Sequence, residues 1–194
     1  PGDAPPSANE IFPKRILIFS PHPDDDAISM GGTLMRLVDQ GHEVHVAYQV
    51  SGSIAVFDED ALDRASFLRD VIKQFDINAE GILDLDSEIE SSLKHKQPGQ
   101  VDSDTVLSIK SLIRRCEARS AARVCGLESE SCHFLDLPFY ETGRVRKKPL
   151  SQEDVDICAS LLQDIQPHVV YAAGDLSDPH GTHRTCLSAV KKAI

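Results

Sequence analysis

The chain has 194 residues, 41% hydrophobic and 26% charged, the make-up of one globular domain with a real core. Its net charge of −11 argues against a nucleic-acid partner, because phosphate backbones are met by basic surfaces. No apolar run reaches the roughly 18–20 residues of a membrane span, and no signal peptide is visible.

Residues 1–14, with Pro1, Pro5, Pro6 and Pro13, read as a linker or an arm from a preceding domain. The apolar run from Arg15 to Ser20 predicts a buried strand that empties into Pro21-His22-Pro23-Asp24-Asp25-Asp26. Ala27 to Gln40 predicts a helix stopped by Gly41. Its early Gly31-Gly32 pair, lacking a Cβ, is expected to permit close packing on a sheet. It is not a GxGxxG fingerprint. Glu43 to Val50 alternates as a second strand, which completes a βαβ unit.

Residues 53–101 are acidic and less regular: Asp58 to Phe75 predicts a helix, and Asp84 to Gln100 reads as an exposed excursion, either a lid or partner surface or plain solvated chain. Thr105 to Cys125 is an amphipathic helix ended by Gly126, and Cys132 to Leu137 is a third strand. Ser151 to Gln166 opens on a Ser151–Asp154 capping pattern and predicts a helix. His168 to Ala173 is the next strand, and Thr182 to Ile194 the last helix. Strands alternating with helices imply an α/β fold with a mostly parallel sheet. The start on Pro1 and the end inside a helical pattern lead us to expect an excised piece of a longer protein, truncated at its C-terminus. Five cysteines without a CxxC pair suggest reduced thiols and a cytoplasmic setting.

Open α/β sheets bind ligands beyond the C-terminal ends of their strands. Two such ends carry chemistry: the His22–Asp26 run, and Asp178-Pro179-His180-Gly181-Thr182-His183 after the fourth strand. A hydrolytic zinc site needs about three protein ligands and an open position for water. His22 and Asp25, three apart on one turn, with His183 from the other loop, supply that set. Asp24 is then the candidate general base, and His180, one turn before His183, the candidate oxyanion stabiliser. Asp26 suits a supporting place or the helix N-terminus, and Asp178 could orient either histidine.

His22-Pro23-Asp24-Asp25 after a strand, with the late His180-x-x-His183, resembles the PIG-L/LmbE-like family of zinc-dependent N-acetylglucosamine deacetylases. The resemblance implies a Rossmann-like fold over residues 15–194 and hydrolysis of an N-acyl amino sugar. It matches His22, Asp25 and His183 to the metal ligands, Asp24 to the base and His180 to the electrophilic histidine. A third similar stretch runs from Ile113 to Arg119, where Arg114 and Glu117 share a helical face as substrate contacts or as an ordinary ion pair. Two departures stand out: Asp26 replaces the usual Glu, and the 53–101 segment is longer than in compact members.

Residues 48–52, 136–143 and 172–183 look like the deacetylase-like region of bacterial proteins that also carry a glucosamine-6-phosphate deaminase domain. A fused or partner deaminase domain is therefore expected, with a small amino sugar, free or phosphorylated, as substrate. Arg144, Arg146, Lys147 and Lys148 form a basic cluster that either meets a phosphate or is merely solvated. Three alternatives stay open: Fe2+ in place of Zn2+, a non-haem iron enzyme, and an accessory domain that binds sugar or scaffolds. A homo-oligomer is a further open partner.

Overall fold

The computed structural model describes residues 12–78, 80–144, 146–174 and 177–194, with the backbone alone for 80–83. Most of the expected N-terminal arm therefore lies outside the described residues. In chain order the elements are β1 (Arg15–Ser20), α1 (Asp25–Asp39), β2 (Glu43–Tyr48), α2 (Asp58–Gln74) and α3 (Glu80–Lys94). They continue with α4 (Asp104–Val124), β3 (Cys132–Phe134), α5 (Gln152–Ile165), β4 (Val169–Ala172) and α6 (Thr182–Ala193).

All pairings in the four-stranded sheet are parallel, in the order β3-β2-β1-β4. β1 is covered on both faces, so its sequence is apolar at successive positions, whereas β2 starts by alternating, with Glu43 exposed and His45 half-buried. Ile16 and Ile18 pack with Val44, Val46, Leu34 and Ala118 on the side of α1 and α4. Leu17 and Phe19 pack with Ala47, Cys158, Cys186 and Ala189 on the side of α5 and α6. The result is a sheet between two helical layers. From β1 the chain builds outwards to β2 and β3, then crosses to β4 on the other side of β1. The crevice beyond the C-terminal ends of β1 and β4 is thus the topological switch point, where such sheets bind ligands.

Three expectations need correction. Residues 84–94 are not an exposed excursion but part of α3: Ile89 is fully buried and packs with Ala65 and Val106, flanked by Leu85, Leu93 and Ile109. Burial of that stripe is what orders the segment. Gly31 and Gly32 do not bring α1 close to the sheet, since a Cβ at either would meet nothing within 4 Å. They follow Met30, whose φ of −146° and ψ of 21° interrupt the helix, and a Ser-Gly-rich run is where helices kink. The third strand is shorter than expected. Asp136 adopts a left-handed φ of 47°, which ends the regular ladder, although Leu135 and Leu137 still donate to the carbonyls of Tyr48 and Gln49. By contrast, the Ser151–Asp154 capping box is formed as expected, and Asp154 also accepts from the Phe139 N–H.

A four-charge network ties α2, α4 and the loop between α3 and α4 together. The buried Lys110 ammonium lies 2.6 Å from Asp58 Oδ1 and 2.8 Å from Asp102 Oδ2, and Lys96 bridges the same two carboxylates. Removing one member of a buried pair leaves the other charges uncompensated. Lys110→Met is therefore expected to lower the unfolding free energy by about 3 kcal/mol, the low end for a buried pair because Asp58 is partly open to water. Urea melts of the two proteins measure this, and a loss under about 1 kcal/mol would contradict it. The network also sets a pH window. Burial raises Asp58, but Lys110 and Lys96 outweigh it and hold the carboxyl below 3.8, so its contribution is present above that value and lost as pH falls through the folded value. Burial lowers Lys96, but Asp102 and Asp58 outweigh it and lift the ammonium above 10.5, so its contribution is lost only as pH rises through the folded value.

Candidate metal centre

The turn that leaves β1 is wound around the His22 carbonyl, which accepts from the N–H groups of Asp24 and Asp25 and from the Ser20 hydroxyl. Asp25 folds back so that Oδ2 accepts from the His22 N–H at 2.8 Å and lies 3.1 Å from His22 Nδ1. Two prolines, Pro21 and Pro23, flank the histidine and restrict the backbone of this turn. Asp26, one residue on, is buried: it meets the Ser20 and Tyr48 hydroxyls at 3.2 Å each. Loss of hydration raises its carboxyl above the ordinary value. It anchors α1 to β2 and faces away from the open site.

From the other side, Gly181 in a left-handed φ of 76° starts α6 and brings His183 to the crevice. Asp178 holds this loop. One of its oxygens accepts from the His180 N–H at 3.0 Å and the other from the His183 N–H at 2.9 Å. Burial would raise this carboxyl, yet the two N–H donors keep it below 3.8.

His183 Nε2 lies 3.2 Å from His22 Nδ1 and 3.3 Å from Asp25 Oδ2. With the His22–Asp25 distance of 3.1 Å, the three donor atoms form a nearly equilateral triangle. Their side chains keep 19–25% of their surface exposed, so one face is open to a ligand. A first-row ion with bonds of about 2.0–2.2 Å spaces its donors about 3.0–3.5 Å apart. Two imidazoles and a carboxylate are a donor set for zinc or iron(II), and the triangle fits either.

The remaining site candidates are placed around this triangle. Asp24 sits beside it at the start of α1, where Oδ2 accepts from Arg114 Nη2 at 2.8 Å. Arg114 also makes the expected pair with Glu117, at 2.5 Å. Burial works against the guanidinium's charge, but Asp24 and Glu117 hold it protonated. His180 is outside the triangle, exposed on the loop before α6. Of the basic cluster, Arg144 turns towards Gly143 and the α3–α4 loop, while Arg146, Lys147 and Lys148 line a cleft together with His180.

Two residues escaped the sequence reading. Tyr140 sets its ring edge-on to His22 at 5.9 Å between centroids, and burial pushes its hydroxyl up to about 12. Glu141 accepts from both the N–H and the hydroxyl of Ser51 at 2.9 Å, which clamps the loop after β2 to the segment after β3. Their adjacency in the Phe139-Tyr140-Glu141 run was visible, but nothing local says that it turns towards β1.

Known proteins resemble this chain in sequence and in fold. A family model described as PIG-L, GlcNAc-PI de-N-acetylase, covers residues 17–194. The chain belongs to the PIG-L family. A protein of Bacteroides thetaiotaomicron named as glucosamine-6-phosphate deaminase-like is 51% identical over 191 residues, which is 97% of this chain and 29% of that protein. A diacetylchitobiose deacetylase of Thermococcus kodakarensis is 38% identical over 56 residues, 29% of this chain and 21% of that one. The PIG-L chain thus spans less than a third of either curated relative. The solved N,N'-diacetylchitobiose deacetylase of Pyrococcus horikoshii superposes with a TM-score of 0.56 at 22% identity, over 93% of this chain and 49% of that one. That likeness establishes the α/β fold, a parallel sheet flanked by helices. Among the described residues of this PIG-L chain, no helix is long and apolar enough to cross a membrane.

Proposed function

We propose that residues 15–194 form a metal-dependent N-deacetylase unit that hydrolyses the acetamide of an N-acetylglucosamine-type sugar. The observation that carries this reading is the His22–Asp25–His183 triangle at the β1–β4 switch point, with a further carboxylate, Asp24, next to it. Zinc held by these three residues would supply Lewis acidity, which brings the pKa of water towards about 7 and polarises an amide carbonyl.

The protein's own groups do the rest. Asp24 takes a proton from the attacking water as its oxygen bonds to the acetyl carbon. It returns that proton to the sugar nitrogen as the C–N bond breaks, leaving acetate and a free amine. The Arg114 bond to Oδ2 fixes the direction of the Asp24 carboxylate through both transfers. His180 donates to the oxyanion that forms at the carbonyl. Asp178, by holding the N–H groups of both histidines, sets where each ring stands. An iron oxygenase would use the same triangle without needing Asp24 or His180, and their presence favours hydrolysis. The names of the relatives point the same way, to amino sugars and their acetyl groups.

The test is metal content of the purified chain together with fluorescamine detection of amine released from N-acetylglucosamine and N,N'-diacetylchitobiose. We expect about one zinc or iron per chain and amine release that stops on chelation. Bound metal with oxygen uptake and no free amine would replace this reading by the oxygenase one. No metal and no amine would leave a sugar-binding or scaffolding unit of a longer protein.

A further inference from the structure

Beside the metal triangle lies a cleft of about 740 Å3 lined by Arg146, Lys147, Lys148, His180, Arg184 and Lys192. Five of the chain's 20 Lys and Arg residues are gathered here, although the chain carries 31 Asp and Glu and a net charge of −11. Among the described lining residues there is no carboxylate. A merely solvated charge run would come from one segment and spread apart by repulsion. This cluster instead joins two separate segments, the loop after β3 and the face of α6 on which Arg184, Ser188 and Lys192 recur every four residues.

The cleft is also tied to the site. His180 belongs to its wall, and Lys147 Nζ stands 3.5 Å from the centroid of the Tyr140 ring, which also meets His22 edge-on. A pyranose carries its 2-acetamido group and its phosphate at different ring positions. One ring can therefore offer the amide to the triangle and an anion to the cleft.

We propose that this cleft binds the phosphate of a phosphorylated N-acetyl amino sugar and makes such a sugar the preferred substrate. The proposal rests on the deacetylase reading above. Guanidinium and ammonium groups bonded to a phosphomonoester dianion are the strong, charge-assisted kind of contact, and arginine takes it through two N–H groups at once. Lys147 is already half-desolvated against Tyr140, and burial pushes it down to about 8, a cost that an arriving dianion offsets.

Two readouts on the metal-loaded chain test this. The first is calorimetric binding of inorganic phosphate and glucosamine 6-phosphate, repeated on chelated protein so that binding to a metal is separated from binding to the cleft. The second is kcat/KM for N-acetylglucosamine 6-phosphate and 1-phosphate, each relative to N-acetylglucosamine. Arg184→Gln and Lys148→Gln are each expected to weaken phosphate binding about tenfold and to lower the phosphorylated-to-neutral ratio similarly. Arg144→Gln, at a side chain that lines the pocket by the α3–α4 loop and not this cleft, should change neither. Whichever phosphosugar loses more shows whether C6 or C1 carries the recognised group. Equal phosphate affinity in wild type, Arg184→Gln and Lys148→Gln would overturn the proposal. Phosphate binding that survives chelation and weakens in Arg184→Gln and Lys148→Gln, by a chain that releases no amine from any sugar, would sustain the cleft and sink the deacetylase reading instead.

Discussion

Asp24→Asn is expected to lower kcat for amine release by about 10²–10⁴-fold while zinc or iron stays at its wild-type content. The two halves of that result separate a base from a ligand. Asp24 lies outside the triangle of His22, Asp25 and His183, so its carboxylate is not needed to retain the ion. An asparagine oxygen still accepts the 2.8 Å bond from Arg114, so the turn and α4 should stay joined. What the amide cannot do is take up the proton of the attacking water and return it to the leaving nitrogen. Because that defect appears only in the transition state, kcat and kcat/KM should fall together with KM little changed. Kinetics with metal analysis on the same preparation measure this. Activity within about threefold of wild type would remove Asp24 from the chemistry and pass the base role to another group.

Legibility in the sequence follows the range of the interactions involved. β1 is read from its apolar run because both of its faces are covered, and β4 from a run whose Val169 and Val170 pack into the two cores; the ends are marked by Pro, Gly and polar residues within a few positions. α5 is read from its cap, since Ser151 and Asp154 satisfy each other's backbone N–H groups locally. The grouping of His22 with His183 needed one further assumption, that both strands lie in one parallel sheet. The structure shows something closer: β1 and β4 are direct neighbours, with Ile16 opposite Val169 and Phe19 opposite Ala172. No local pattern encodes that adjacency.

Other features were hidden by composition or by distance along the chain. The Leu85–Ile89–Leu93 stripe of α3 has helical spacing, but Asp84 precedes it and Asp86, Glu88 and Glu90 stand between its members, which gives the segment a solvated look. The Arg114–Asp24 bond joins residues 90 apart, and the cleft joins the 146–148 loop to α6. Charges of either sign are plausible on any surface, so only the folded chain says which of them face each other. The glycine pair failed for the opposite reason. Small size permits close packing but does not require it, and at Gly31 and Gly32 the freedom coincides with a helix kink instead.

His183→Ala should abolish both metal retention and amine release, and its decisive readout is thermal rather than kinetic. A ligand that binds only the folded chain adds RT ln(1 + [L]/Kd) to stability, about 2.7 kcal/mol at a hundredfold excess over Kd. For a chain of this size each kcal/mol corresponds to about 2–4 °C, so chelating the wild-type protein should lower Tm by about 5–10 °C. His183 enters the triangle from α6 while His22 and Asp25 share one turn after β1, so zinc held by all three would cross-link the two sides of the switch point. Truncating His183 leaves two donors on that single turn and no cross-link. The variant should therefore melt near the chelated wild type, with or without chelator, and carry metal at background level. The Asp178 bond to the His183 N–H is made by the backbone and survives the substitution, so α6 keeps its start. A variant that still holds one ion per chain and still loses several degrees to chelator would show that the metal sits elsewhere, and the triangle would then be only a hydrogen-bonded cluster.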